Sequence, residues 1–196
     1  MKIVSVNIGS ASGLFIRQSN ETHRIMTTIH KQPIGEPVPV GRLGLRGDEQ
    51  VDLSVHGGLD KAVYAYPVEH YAFWNSQRQA ALRTDAPLPP GSVGENLTIQ
   101  GLLEEEVWIG DRLHAGTALL EVTEPRQPCF KFNAKMGFSH ASKQMLQAGI
   151  SGFYLRVVET GVVQAGDAIA LEPGAREVSL ASINERRFRG RQKELF

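Results

Sequence analysis

The chain is 196 residues long, 41% hydrophobic and 21% charged, and its 21 basic side chains balance 21 acidic ones. A chain of this length can bury a sizeable core as one large domain, or as one domain with an appendage. Zero net charge gives no general electrostatic pull on nucleic acid, and no apolar run approaches the ~20 residues that a membrane span needs.

The first residues, Met1-Lys2-Ile3-Val4-Ser5-Val6-Asn7-Ile8-Gly9, are too short and too interrupted for a signal-peptide core. The single cysteine argues against a disulfide-stapled secreted domain and fits a reducing compartment. A cytoplasmic protein is expected, with no membrane and no nucleic-acid partner.

Short apolar runs, many rich in β-branched residues, alternate with Gly and Pro, which is the pattern of a strand-rich domain with many turns. In chain order the predicted strands are residues 2–8, 24–30, 62–66, 95–99, 107–109, 112–114, 118–123, 153–159 and 168–171. Gly110-Asp111, Glu159-Thr160-Gly161 and Gly166-Asp167 are turn signals between them. Helices are fewer. Residues 67–77 open with Pro67 at a first helical position and carry Tyr71 and Trp74. Residues 139–147 read as a helix with Ser139 as N-cap and Gly149 as terminator. Residues 179–189 can form a last helix.

Strands dominate and no βαβ rhythm is present. The predicted fold is therefore mainly β, a β-rich α+β chain built on a closed or partly closed barrel with a few short helices. The predicted division is a barrel domain over residues 1–172 and a short basic helical tail over residues 173–196. In that tail Arg176, Arg186, Arg187, Arg189, Arg191 and Lys193 are set against only Glu177, Glu185 and Glu194. A solvated helix and a docking surface for an acidic partner are both open readings.

Three clusters carry candidate chemistry. The first is Gly44-Leu45-Arg46-Gly47-Asp48 followed by His56-Gly57-Gly58-Leu59-Asp60-Lys61-Ala62-Val63-Tyr64. Adjacent glycines let a ligand approach backbone N–H groups, so this stretch is either an anion-binding nest or a tight turn with solvated charges. The second, Gly91-Ser92-Val93-Gly94-Glu95-Asn96-Leu97-Thr98, enters a strand, and Glu95 or Asn96 could read the amide edge of a ring. The third lies at a strand end, with Thr123, Arg126, Cys129 and Lys131 around Pro125 and Pro128. The prolines restrict the backbone before the thiol, and nearby positive charge favours a thiolate. Cys129 is then a nucleophile, a sulfur carrier, one thiolate ligand to a bound metal, or a buried structural residue. No zincin motif, phosphate loop or dinucleotide fingerprint is present, and no histidine spacing suggests a metal site or a base for Cys129.

In order and approximate spacing, these clusters resemble the MOSC family, named for the C-terminal domain of molybdenum cofactor sulfurase. The resemblance runs over roughly residues 1–172 and is nearest the stand-alone bacterial YiiM-like branch, which reduces N-hydroxylated bases such as 6-hydroxylaminopurine. It implies a β-barrel that binds the molybdenum cofactor (molybdopterin), with Cys129 as catalytic residue and protein ligand to the metal. A soft thiolate suits a metal already held by sulfur. The inferred cofactor-binding set is His56, Gly57, Gly58, Asp60, Lys61, Glu95, Asn96, Arg126 and Lys131. Electrons would come from a separate flavoprotein, since nothing in the chain resembles a flavin or nicotinamide site. No pyridoxal phosphate is expected. A carrier of the cofactor or of sulfur, using Cys129 without turnover, is the alternative. Members of this branch often continue into three C-terminal helices, whereas residues 173–196 leave room for about one.

Overall fold

The first strand, β1 (Lys2–Ile8), exposes Lys2, buries Ile3 and Val6 completely, and buries Ser5 to Asn7 without a break, with a register irregularity between Ile3 and Ser5. The computed structural model describes residues 1–18, 21–51 and 57–193. After β1 come β2 (Ser12–Gln18), β3 (Glu21–Thr27), β4 (Gln32–Ile34), β5 (Val38–Gly41) and β6 (Gly44–Leu45). β7 (Val63–Pro67) is buried at every position. It explains its own composition, because it lies inside the main sheet between β8 (Leu97–Gln100) and β11 (Phe153–Glu159), parallel to β8 and antiparallel to β11. β9 (Arg112–Ala115), β10 (Ala118–Pro125), β12 (Gly161–Val163) and β13 (Ile169–Glu172) complete the described strands.

The main sheet has the order β13-β9-β10-β11-β7-β8-β1-β4. It does not close as a continuous barrel, which corrects the fully closed form of the expectation. The chain ahead of β13 does reach back to β1, through one bridge (Lys2 to Ala168) and backbone bonds Ile3 N to Asp167 O, Gly166 N to Ile3 O and Ile169 N to Met1 O. The seam is short because β4 occupies the other end of β1, pairing Val6 to Ile8. β12-β5-β6 and the ribbon β2–β3 form two smaller sheets. The molecule is mainly β.

The helices pack outside the sheet. α1 (Tyr71–Leu82) follows a 3₁₀ turn at Val68–His70 and runs five residues past the predicted end, to Arg83 in the left-handed conformation. α2 (Phe130–Met136) was not predicted. α3 (Ala141–Ala148) ends at Gly149 with φ 70, as expected, but His140 rather than Ser139 precedes it. α4 (Leu180–Lys193) begins where Ser179 Oγ accepts the Ser182 N–H. Residues 107–109 make only a single bridge, Trp108 to Ser179, instead of a strand. Residues 24–30 shift to β3 because the ribbon pairs Ser12 with Thr27 and releases Thr28 to His30.

Two cores result. One gathers Ile3, Val63, Leu97, Leu120 and Leu155 of the main sheet, and Leu180 of α4 belongs to it. The other is aromatic and lies between the sheet and α1, α2 and α3. There Trp74 Nε1 donates to the Tyr66 hydroxyl at 2.6 Å, and Phe132 meets Trp74 edge-on at 5.2 Å. Burying Phe132 contributes roughly 1.5–3 kcal/mol and pins α2 to the sheet. No helix among the described residues is long and apolar enough to cross a membrane.

Candidate functional site

β10 ends at Pro125, paired to Phe153, and the next residues turn towards α2. Cys129 is the residue before α2, with extended backbone (φ −119, ψ 179). Phe132 and Met136 bury one face of α2 completely or nearly so, which fixes the thiol's place. Cys129 itself is half-buried.

Arg126 is held from several sides. Its backbone N–H donates to Gly152 O at 3.2 Å, and Nη1 donates to Val93 O at 2.7 Å. Its guanidinium lies 4.7 Å from the Tyr64 ring centre and 5.3 Å from that of Phe132. Burial works against its charge, and the facing Tyr64, Tyr154 and Cys129 more than offset this, so its pKa is raised. Arg126 Nε is buried with no hydrogen-bond partner, an expensive state for a charged donor.

The turn that supplies Val93 O is built by Glu95. This carboxylate is fully buried and accepts from Gly91 N at 2.7 Å, Val93 N at 3.0 Å, Thr98 Oγ1 at 2.7 Å and the Tyr71 hydroxyl. Glu95 does not line the cavity itself; it shapes the turn whose Val93 carbonyl holds Arg126. Gly91 is needed here: at φ 84, an added Cβ would sit 2.7 Å from Lys31 O.

Asn96 has a different fate. Its Oδ1 accepts Tyr64 N–H at 3.1 Å, and its Nδ2 donates to Asp48 Oδ2 at 2.8 Å. Asp48 also takes Gly9 N–H at 2.8 Å and Lys31 Nζ at 2.5 Å. The Lys31 and Asp48 side chains are only 7% and 4% exposed. Burial lowers the Lys31 pKa, and the Asp48 charge opposes that fall.

These elements surround one partly open cavity of about 80 Å³. Of the sequence-derived candidates, Lys61, Asn96, Arg126, Cys129 and Lys131 line it. Asp60 does not; it faces Arg156 at 3.3 Å on the surface. Gly57 and Gly58 do not line it either, though Gly58 N donates to Oε1 of the lining residue Gln50 at 3.1 Å. His56 lies outside the described residues. Lys31, Asp48, Tyr64 and Tyr154 also line the cavity and were not singled out as site residues. Burial raises the pKa of Tyr64, and of Tyr154 against the opposing Arg126. Asp48 had a signal, the Gly-Leu-Arg-Gly-Asp run, and Tyr64 closes the Lys-Ala-Val-Tyr run. Lys31 had none.

Among the described residues the lining sets four cations, Lys31, Lys61, Arg126 and Lys131, against two carboxylates, Asp48 and Glu49, so it is net cationic around a single thiol, with Lys31 neutralised by Asp48. Lys61 has Glu124 as one partner, at 3.4 Å. Such a cavity can take an anion beside the Arg126 guanidinium and present one soft sulfur ligand. Among the described residues no group of three or more His, Cys, Asp or Glu could hold a metal ion. A metal at Cys129 would bring its remaining ligands with it. The donor set fits a sulfur-ligated anionic cofactor.

Comparison with known proteins places the chain in a family. The MOSC domain model matches residues 52–170, which include Lys61, Asn96, Arg126 and Cys129. The uncharacterized protein YflK of Bacillus subtilis is 38% identical over 183 residues, covering 93% of this chain and 78% of that protein. A protein named "Reductase" from Gibberella moniliformis is 38% identical over 152 residues, covering 75% of this chain but only 26% of the fungal protein. The crystal structure of YiiM from Geobacillus stearothermophilus superposes with a TM-score of 0.75 at 36% identity, covering 97% of this chain and 85% of YiiM. With the mixed sheet, the thiol after β10 and these matches taken together, the chain belongs to the MOSC domain family and is YiiM-like.

Proposed function

We propose that the cavity binds the molybdenum cofactor, with Cys129 as the protein's ligand to the metal, and that the chain is a reductase of N-hydroxylated substrates such as hydroxylaminopurine-type bases. The observation that carries this reading is the buried Arg126, whose Nε lacks a partner, in a cation-lined cavity around the lone thiol. Family membership supports the cofactor class, and a relative named as a reductase supports the reaction class.

When bound, the cofactor would supply the metal centre at which an N–O bond is reduced. The chain's residues would do the rest. Arg126, Lys61 and Lys131 would hold the anionic part of the cofactor. Lys31 would add little net charge, because Asp48 takes it up. Tyr64 and Tyr154 would keep their protons at neutral pH, since burial raises both pKa values, and they would wall the cavity without adding negative charge. Asn96 would hold the Asp48 side of the cavity in register, and Glu95 would hold Arg126 in place through the Gly91–Val93 turn. Electrons would come from a separate flavoprotein.

The half-buried thiol is also compatible with a carrier that hands on cofactor or sulfur. Assaying 6-hydroxylaminopurine with a flavoprotein donor separates the two. Many turnovers per Cys129, lost in Cys129→Ser, are expected of the reductase. Transfer limited to one equivalent per chain would overturn the enzyme and favour the carrier.

A further inference from the structure

Of the arginines in the basic C-terminal helix whose side chains are described, Arg187 points inward. α4 places Leu180, Asn184 and Arg187 on one face, at helical spacing i, i+4, i+7. Leu180 is fully buried in the sheet core, and Asn184 is 4% exposed and donates to Gly149 O at 3.2 Å. These two contacts fix the helix's rotation, and Arg187 then meets the end of β10. Its Nη1 donates to Pro125 O at 2.6 Å and its Nη2 to Glu124 Oε2 at 3.1 Å. Arg186, one residue earlier, turns back along the helix to Ser182 O and is exposed.

Both acceptors of Arg187 lead to the thiol cavity. Pro125 O belongs to the residue before Arg126. Glu124 uses its other oxygen, Oε1, on Lys61 Nζ at 3.4 Å, and Lys61 lines the cavity and lies 5.9 Å over the Tyr154 ring. One carboxylate is thus shared between a cation of the C-terminal helix and a cation of the cavity wall. Its side chain is 32% exposed, those of Arg187 and Lys61 26% and 25%, so all three charges are partly shielded from screening by solvent.

We propose that Arg187 is a positioning residue for the Cys129 cavity: it draws Glu124 away from Lys61, braces the Pro125 carbonyl, and so sets the positive potential felt at the thiol. Without Arg187, the Glu124 carboxylate turns fully to Lys61 and cancels its charge. The C-terminal segment is then part of the site's machinery. This inference rests on the cavity's charge and not on which cofactor it holds, so it and the cofactor reading fail separately.

Cys129 is the only cysteine, which makes the test direct. Its alkylation rates with iodoacetate, an anion, and with iodoacetamide, a neutral reagent with the same leaving group, are measured on the full chain. The ratio of the two reads local potential and cancels changes in thiol exposure. Arg187→Gln is expected to lower the ratio about two- to fivefold, Arg187→Lys to restore most of it, and Arg186→Gln to change it much less. In a Glu124→Gln background the effect of Arg187→Gln should shrink to that of Arg186→Gln, because the shared carboxylate is gone. Glu124→Gln alone should raise the ratio, and this arm stands even if Arg187→Gln folds poorly. Equal ratios for Arg187→Gln and Arg186→Gln, a purely additive double variant, or no rise in Glu124→Gln would overturn the proposal.

Discussion

Two walls of the same cavity handle charge in opposite ways. On one, Lys31, Asp48 and Asn96 form a buried set in which the ion pair is closed and each Asp48 oxygen has a donor. On the other, Arg126, Lys131 and Lys61 surround Cys129, and one buried guanidinium nitrogen has no partner. The first wall has spent its hydrogen bonds on structure. The second keeps a donor in reserve beside a thiol. Removing charge should therefore cost stability on one side and ligand affinity on the other.

Asp48→Asn gives the largest expected effect on folding. It strands the Lys31 ammonium in a buried site, and losing one partner of a buried pair costs about 3–5 kcal/mol. Urea unfolding checks it; a loss under 1 kcal/mol would mean that Lys31 finds water. Arg126→Met is the contrasting change. An apolar side chain of similar length removes a buried charge with an unmade bond but strands the Val93 carbonyl, so the loss should be about 1–3 kcal/mol, below that of Asp48→Asn. Molybdenum retained after gel filtration should fall at least about tenfold. Equal stability losses in the two variants would erase the distinction between the walls.

Alkaline pH tests the aromatic core behind the second wall. Burial raises the pKa values of Tyr64, Tyr66, Tyr71 and Tyr154 from the ordinary 10.0, with nearby Glu95 adding to the rise at Tyr71. The folded protein thus holds these protons longer than the unfolded chain. Their contribution is complete below pH 10.0 and is lost as pH climbs from there through the folded-state values. Unfolding free energy, measured in urea at stepped pH, should decline above that point, and Tyr66→Phe should make the decline shallower. The lowered Lys31 pKa acts in the opposite sense, adding stability as pH rises towards 10.5. The slope in Lys31→Met isolates that part. The smallest effect belongs to Asp60→Asn. This exposed pair with Arg156 should be worth about 0.5 kcal/mol or less, with metal retention unchanged.

The sequence made part of this legible. β1 and β11 have the predicted limits, 2–8 and 153–159, because their buried faces carry strong apolar patterns. β2 escaped notice because Ser12–Gln18 pairs only with β3 in a ribbon apart from the main sheet, so no long apolar run marks it. α2 is seven residues long and follows Pro128, too brief for a periodic signal beyond Phe132 and Met136. Cys129, Arg126, Lys131, Lys61 and Asn96 were readable because their motifs sit at strand ends that converge on one cavity. Lys31 was not, since its meaning comes from Asp48, 17 residues away and joined only by the fold. Glu95 and Asn96 are adjacent and equally polar, yet one is consumed by the Gly91–Val93 turn and the other reaches Asp48. Side-chain direction at a strand entry separated them, and local sequence does not state it. The basic tail read as a surface feature, whereas Leu180, Asn184 and Arg187 tie it to the core and to β10.

The most direct measurement is molybdenum and pterin content of the protein purified from a cofactor-producing host, beside Cys129→Ser. Serine is a favourable residue before a helix, so the variant should keep its fold, as circular dichroism and thermal unfolding would record. Near-stoichiometric metal and pterin in the native chain, with the metal lost in the folded variant, is the predicted result. Equal metal in both, or none in a folded native chain, would contradict the assignment of Cys129 as the ligand.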